Sequence, residues 1–239
     1  MKPVRVRRHP RRRPESVVYR GDPVIRTDSS SRSSPFGDYL PLGTVGSEKA
    51  IIKYGQSQRE SAASTLDDLL DFHVVPPTVV RMDTTGEGVA HVSVQELVPD
   101  ARKWGRMTQD ERDLVNRDDL FKIAIIDIIT NQSDRHGGNL LVSPDNRAYA
   151  IDNEFMFGDE GWLKSVAVTE MYGKEIPRPL IKKLKALGKG DFMATFASVK
   201  VGMEEIERAW KRKVGLQKSG RIDWRLVPKP YPFVPPPTA

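Results

Sequence analysis

The stretch Asn131-Gln-Ser-Asp-Arg-His-Gly-Gly-Asn139 decides how the rest of the chain is read. An acid, a guanidinium and an imidazole run together, two glycines follow and an amide closes the segment. FKIAIIDII precedes it and LLV follows it, both apolar enough to want burial. Polar side chains are costly between buried segments unless they are paired or used. The segment is therefore expected to be a rigid functional loop.

Working outward, the upstream segment predicts a buried helix. Thr108 and Glu111 form a capping box, and a helix is expected from there through LVNRDDLFKIAIIDIIT. Downstream, NLLVSPDNRAYAIDNEF predicts two short strands joined by the turn SPDN. Asp134, Asn139 and Asp152 are separated by five and thirteen residues, so loop and hairpin end can lie side by side. Two carboxylates and an amide oxygen in one pocket suit Mg²⁺, which takes one or two protein carboxylates plus water and phosphate oxygens. Phosphoryl transfer needs that metal, a residue to orient the attacking hydroxyl and a cation to neutralise charge. Asp127, on the apolar helix, is expected to bond loop backbone.

Further upstream, KAIIKYG reads as a strand ending near Lys53. SQRESAASTLDDLLDF follows with apolar residues at Ala62, Ala63, Leu66, Leu69 and Leu70, a helical spacing, and Ser57 with Glu60 makes a second capping box. VVPPTVVRM, TTGEG and VAHVSVQELV read as a hairpin. After Asp152 a loop-rich segment is expected over 157–176, then helices at 179–187, 190–199 and 203–213.

SDRHGGN followed by AIDNEF resembles the catalytic and metal-binding loops of atypical kinases of the phosphatidylinositol 3-/4-kinase type, with HipA-type and secretory-pathway kinases as more distant relatives. RESAASTLDDLLDFHVVPPTVV resembles the helix and "VPPT" stretch that follows the ATP-anchoring lysine in bacterial kinases of this group. The resemblance covers roughly residues 45–160. It implies an α+β, two-lobed protein-kinase-like fold with a small β-rich N-lobe carrying one helix and a mostly helical C-lobe. It also implies ATP and Mg²⁺ (or Mn²⁺) as cofactors. Lys53 would hold the α/β phosphates and Glu60 would pair with it. Asp134 would orient or accept the proton of the acceptor hydroxyl, and His136 would contact the γ-phosphate. Asn139 and Asp152 would hold the metal. Gln95, Glu96, Leu97 and Val98 would form the hinge that meets adenine through backbone hydrogen bonds. Gly137 and Gly138 would let the backbone pass close to the ligand.

The pattern departs from the family in places. No GxGxxG occurs. The phosphate-covering loop is assigned to the serine-rich TDSSSRSSPFG, with Ser30 and Ser31 as candidate phosphate donors, over Gly43 and Gly46. The second metal loop reads Asp-Asn rather than Asp-Phe-Gly. The body is short for a kinase, which leaves little room for a peptide-docking platform.

Composition sets the remaining expectations. Of 239 residues, 38% are hydrophobic and 29% charged, ordinary for a soluble domain. The absence of cysteine excludes disulfides and thiolate metal sites. No apolar run is long enough for a membrane span, and the basic N-terminus lacks a signal-peptide core, so a cytoplasmic protein without integral membrane association is expected. The net charge of +6 is unevenly placed: residues 1–33 carry +7 and the remainder about −1. That arm predicts disorder and contact with a polyanion. The expected organisation is a basic arm over 1–33, an N-lobe over 34–98, a C-lobe over 99–220 and a proline-rich tail over 221–239. The leading reading is a kinase whose hydroxyl acceptor is a protein. The alternatives are a pseudokinase scaffold, an AMP-transferring enzyme, and a polyanion-binding protein working through the arm.

Overall fold

The protein is described by a computed structural model covering residues 24–26, 42–45, 48–54, 57–85, 88–157, 162–223 and 226. Of the basic arm only Val24–Arg26 is described, and it is a sheet strand rather than part of the expected disordered arm; the serine-rich loop with Ser30 and Ser31, Gly46 and most of the proline-rich tail lie outside the described residues.

Five strands form an antiparallel sheet: β1 (Val24–Arg26), β2 (Leu42–Val45), β3 (Glu48–Tyr54), β4 (Thr78–Thr85) and β5 (Gly88–Glu96), in the order β1-β2-β3-β5-β4. β4 and β5 are the expected hairpin, with β5 inserted between β4 and β3. Strand alternation sorts the two faces. Ala50, Ile52, Val92 and Val94 form an apolar cluster with Val79 on one face. Ile51 and Lys53 point the other way, toward helix α1 (Ser57–Leu69).

Helix α1 has two buried stripes of different chemistry. Ala62, Ala63 and Leu66 join the main core with Leu70 and Phe72. Glu60, Ser64 and Asp67, also buried, form a polar stripe at helical spacing. Ser64 Oγ accepts from the Thr78 amide at 3.1 Å. Thr78 Oγ1 accepts from Gln95 Nε2 at 3.0 Å.

The chain then turns mostly helical. The Thr108–Glu111 capping box forms with both arms in place, but the helix it starts is short: α2 spans Gln109–Asp113. The expected continuous helix breaks at residues 114–116, and Asn116 caps a new one, α3 (Arg117–Thr130), through a bond from the Asp118 amide. Asn is a strong N-cap, and its side-chain oxygen competes for backbone donors inside a helix. α3 is buried over most of its length, as its apolar sequence requires. Asn131 ends it in a left-handed conformation, with φ 52°.

β7 (Leu140–Val142) and β8 (Ala148–Ala150) form the second hairpin, and β6 (Arg102–Lys103) adds to β7. The turn uses Asn146 at φ 60°. Asp119 of α3 is buried and accepts from Arg147, Lys122 and the Ala148 amide, tying hairpin to helix. The segment read as loop-rich contains a short helix, α4 (Val166–Met171), started by Ser165, whose hydroxyl accepts from the Val168 amide at 3.1 Å.

α5 (Arg178–Ala186), α6 (Lys189–Ser198) and α7 (Met203–Ser219) complete the body. α7 runs to Ser219 rather than ending at 213 as expected, and Gly220 closes it at φ 64°. Phe157, Phe192 and Phe196 pack edge to face within the core, with centroids 4.7 and 5.2 Å apart. Two α7 cations close helix ends: Arg212 donates to Ile129 O at 2.8 Å and Lys213 to Leu187 O at 2.7 Å. A small antiparallel sheet with one helix, followed by a mostly helical part, gives the α+β architecture expected.

Candidate active site

The loop 131–139 is built around Arg135. Its side chain is fully buried. Nη2 lies 3.2 Å from Asp127 Oδ1 on α3 and donates to Asn153 Oδ1 at 2.6 Å. Nη1 donates to Asn139 O at 3.3 Å and to Ile151 O. One guanidinium thus joins helix, loop and the end of the hairpin, a role that suits its rigid fork of donors. Asp127 also accepts from Ser165 Oγ at 2.7 Å. Its carboxylate therefore bonds side chains, not the loop backbone as expected. Burial pushes that carboxyl upward, opposed by Arg135 and Ser165.

The neighbouring Asp134 faces outward. Its carboxylate is one-third exposed and lies 3.6 Å from Lys164 Nζ and 3.8 Å from His136 Nε2. The Asp134 amide donates to Gln132 Oε1 at 3.1 Å, and its carbonyl accepts from Asn139 Nδ2 at 2.9 Å. The second bond commits the NH₂ end of Asn139 to the protein. Among the described residues the oxygen end makes no hydrogen bond. His136 Nδ1 accepts from the Gly138 amide at 2.9 Å, so the ring proton of a neutral His136 sits on Nε2, the side toward Asp134.

Asn139 and Asp152 are neighbours because the Ile151 amide donates to Asn139 O at 3.1 Å, continuing the β7–β8 pairing. Asp152 then leaves the strand at φ 60°, a left-handed conformation that aspartate tolerates better than most non-glycine residues. Its Oδ1 lies 3.1 Å from Lys53 Nζ, which is 2.8 Å from Glu60 Oε1. Burial works to lower the Lys53 pKa, but Glu60 and Asp152 outweigh it and hold the ammonium above its ordinary value. Glu60 Oε2 accepts from Asn153 Nδ2 at 3.3 Å. Both Glu60 oxygens thus serve the site. Ser57, the first helical residue, donates to Gln58 Oε1 at 3.3 Å, and the expected Ser57–Glu60 capping box does not form.

Two residues that the sequence reading left out join this cluster. Lys164 is fixed on both sides of its backbone: its amide donates to Gln132 O at 3.0 Å and its carbonyl accepts from the Arg135 amide at 2.9 Å. Nothing near Lys164 in sequence marked it, because the pairing with the loop is made by backbone atoms. Glu154 follows Asn153. Its carboxyl is held above the usual range by burial, then by the charges of Asp152 and Glu60. The acid pair in AIDNEF was a signal that could have pointed to it.

The glycines serve packing. A Cβ on Gly137 would lie 2.8 Å from Gly105 Cα, and one on Gly138 would lie 2.6 Å from the His136 ring. The close backbone approach is to the 3-10 turn at Trp104–Arg106, where the Gly105 amide donates to Gly137 O at 2.8 Å. In the expected hinge, the Glu96 amide donates to Pro77 O at 2.9 Å and the Leu97 amide to Lys49 O at 3.2 Å. The Gln95 side chain is committed to Thr78, and Val98 packs against Ala101 and Leu141. Among the described residues, the Val98 amide alone of the four has no backbone partner.

A separate group, Asp67, Asp68 and His73, has ligand atoms close enough for a cation. It lies at the opposite end of α1 from Glu60. Asp67 accepts from the Val74 amide at 2.9 Å, and His73 Nε2 lies 2.7 Å from Asp71. These atoms build the turn after the helix.

No protein-family model matches the chain. Protein Rv2133c of Mycobacterium tuberculosis is 23% identical over 203 residues, spanning 72% of this chain and 70% of that protein. A proinflammatory kinase of Helicobacter pylori, CtkA, superposes with a TM-score of 0.45 and 10% identity over 77% of this chain and 91% of that one. Among the described residues no helix is long and apolar enough to cross a membrane.

Proposed function

We propose that the protein is an ATP-dependent phosphotransferase that moves the γ-phosphoryl group of ATP to a hydroxyl, with a protein as the favoured acceptor. The observation that carries this reading is the Lys53 ammonium, held at 2.8 and 3.1 Å between Glu60 of α1 and Asp152 of the hairpin end. A lysine fixed by two acids from two parts of the fold is placed to meet phosphate oxygens at their junction. Such a lysine needs no pairing with two acids for stability alone, since one would neutralise it.

The donor set fits a hard divalent cation. The free oxygen of Asn139, the second oxygen of Asp152 and the surplus negative charge felt by Glu154 give oxygen ligands beside the Lys53 pair. When bound there, Mg²⁺ or Mn²⁺ would neutralise phosphate charge. The remaining work falls to the chain. Lys53 holds the phosphates. Asp134 orients the acceptor hydroxyl and takes its proton as the acceptor oxygen bonds to the γ-phosphorus and the bond to the β-phosphate oxygen breaks, releasing ADP. Lys164, 3.6 Å from Asp134, supplies positive charge where negative charge gathers on the oxygens of the transferring group. The Nε2–H of His136 borders the same position. The Val98 amide is left as the hinge donor to adenine.

The test is transfer from γ- and α-labelled ATP with Mg²⁺ or Mn²⁺, beside Asp134→Ala and Asp152→Ala. Transfer of γ label, lost in both variants, supports the kinase. Transfer of α label replaces it with AMP transfer. No metal-dependent ATP binding removes the reading.

A further inference from the structure

Asn153 lies between the lysine pair and the loop, and it is fully buried. Its Nδ2 donates to Glu60 Oε2 at 3.3 Å and its Oδ1 accepts from Arg135 Nη2 at 2.6 Å. The two charged neighbours are already balanced without it: Glu60 has Lys53, and Arg135 has Asp127. Asn153 therefore adds no charge compensation. It supplies one donor to a carboxylate and one acceptor to a guanidinium, a combination that a short primary amide offers and a carboxylate or an alkyl group does not.

The bonds form one connected series: Lys53, Glu60, Asn153, Arg135, Asp127 and Ser165. Its ends lie on β3 and at the start of α4. Asp134, the group next to Arg135, and Asp152, the group next to Asn153, are both carried on it. We propose that Asn153 is a positioning residue that locks Glu60 to the Arg135 centre, so that the phosphate-binding lysine and the Asp134 loop are held as one unit. The proposal rests on the kinase reading.

The test is the affinity for ATP with Mg²⁺, by calorimetric titration, for Asn153→Asp and Asn153→Ala, with thermal unfolding beside it. In Asn153→Asp a second carboxylate faces Glu60, while Arg135 keeps its acceptor. In Asn153→Ala both bonds are lost. Affinity should fall roughly tenfold in each, beyond any change in melting temperature. A folded variant of either kind with native affinity overturns the proposal alone, as does affinity lost only in step with stability. Absence of ATP binding by the native chain overturns the kinase reading, and the proposal with it.

Discussion

Arg135 pairs with Asp127 at 3.2 Å, and neither side chain is exposed to solvent. The arginine beside the candidate catalytic acid is thus a structural centre, not a partner of Asp134. Removing one member of a buried ion pair leaves the other uncompensated, which costs about 3–5 kcal/mol. Arg135→Met should lose that much stability in denaturant unfolding. A loss below about 1 kcal/mol would mean the site relaxes around the missing charge.

Lys164→Met should leave ATP binding close to native and lower phosphoryl transfer on the order of 100-fold, since the charge acts where it develops during transfer. Lys164→Arg should restore part of it. Equal loss of ATP affinity and transfer would instead assign the lysine to nucleotide binding. The measurement is transfer rate beside binding affinity for each variant.

Gly137→Ala places a methyl group 2.8 Å from the Gly105 backbone, where no flexible side chain can yield. The strain is about 1–3 kcal/mol. Transfer should fall with stability, because the same loop carries Asp134. An unchanged melting temperature would show that the two backbones can separate.

Asp67 gives a pH dependence unrelated to catalysis. Burial, helped by the Asp68 charge, raises its carboxyl well above the usual carboxylate range to about 7, against the backbone donors of Val74, Val75 and His73. A carboxyl raised on folding binds its proton more tightly in the native state. Its contribution is therefore present below about pH 4 and lost as pH rises toward 7. Relative to Asp67→Asn, the native chain should lose stability across that window, with a slope of at most about 1.4 kcal/mol per pH unit. Urea unfolding of both chains at several pH values measures it. Parallel curves would place the titration elsewhere.

Much of the site was legible because the residues lie on elements with clear periodicity. Lys53 ends an apolar strand, Glu60 sits on the next helix, and the spacing of Asn139 and Asp152 fits a short hairpin. The links between elements were not legible. Lys164 reaches Asp134 through backbone pairing with Gln132 and Arg135, which leaves no side-chain pattern. Nothing in the sequence tied Arg135 to its partner, since Asp127 lies in an apolar run of the preceding helix. The helix break at 114–116 was hidden by the capping box ahead of it, since a box marks a start and says nothing of length. Glu60 fitted two roles by sequence, and its two oxygens are committed to Lys53 and Asn153.

The double character of α1 has a consequence for how the molecule comes apart. Its alanines and Leu66 belong to the helical body, while the sheet keeps its own apolar cluster on the far face. What joins sheet to helix includes a set of polar contacts: Lys53 to Glu60, Thr78 to Ser64, and Gln95 behind Thr78. Water and salt compete for such a seam as they do not for an oily one. The sheet is then the portion that can loosen while α1 stays seated.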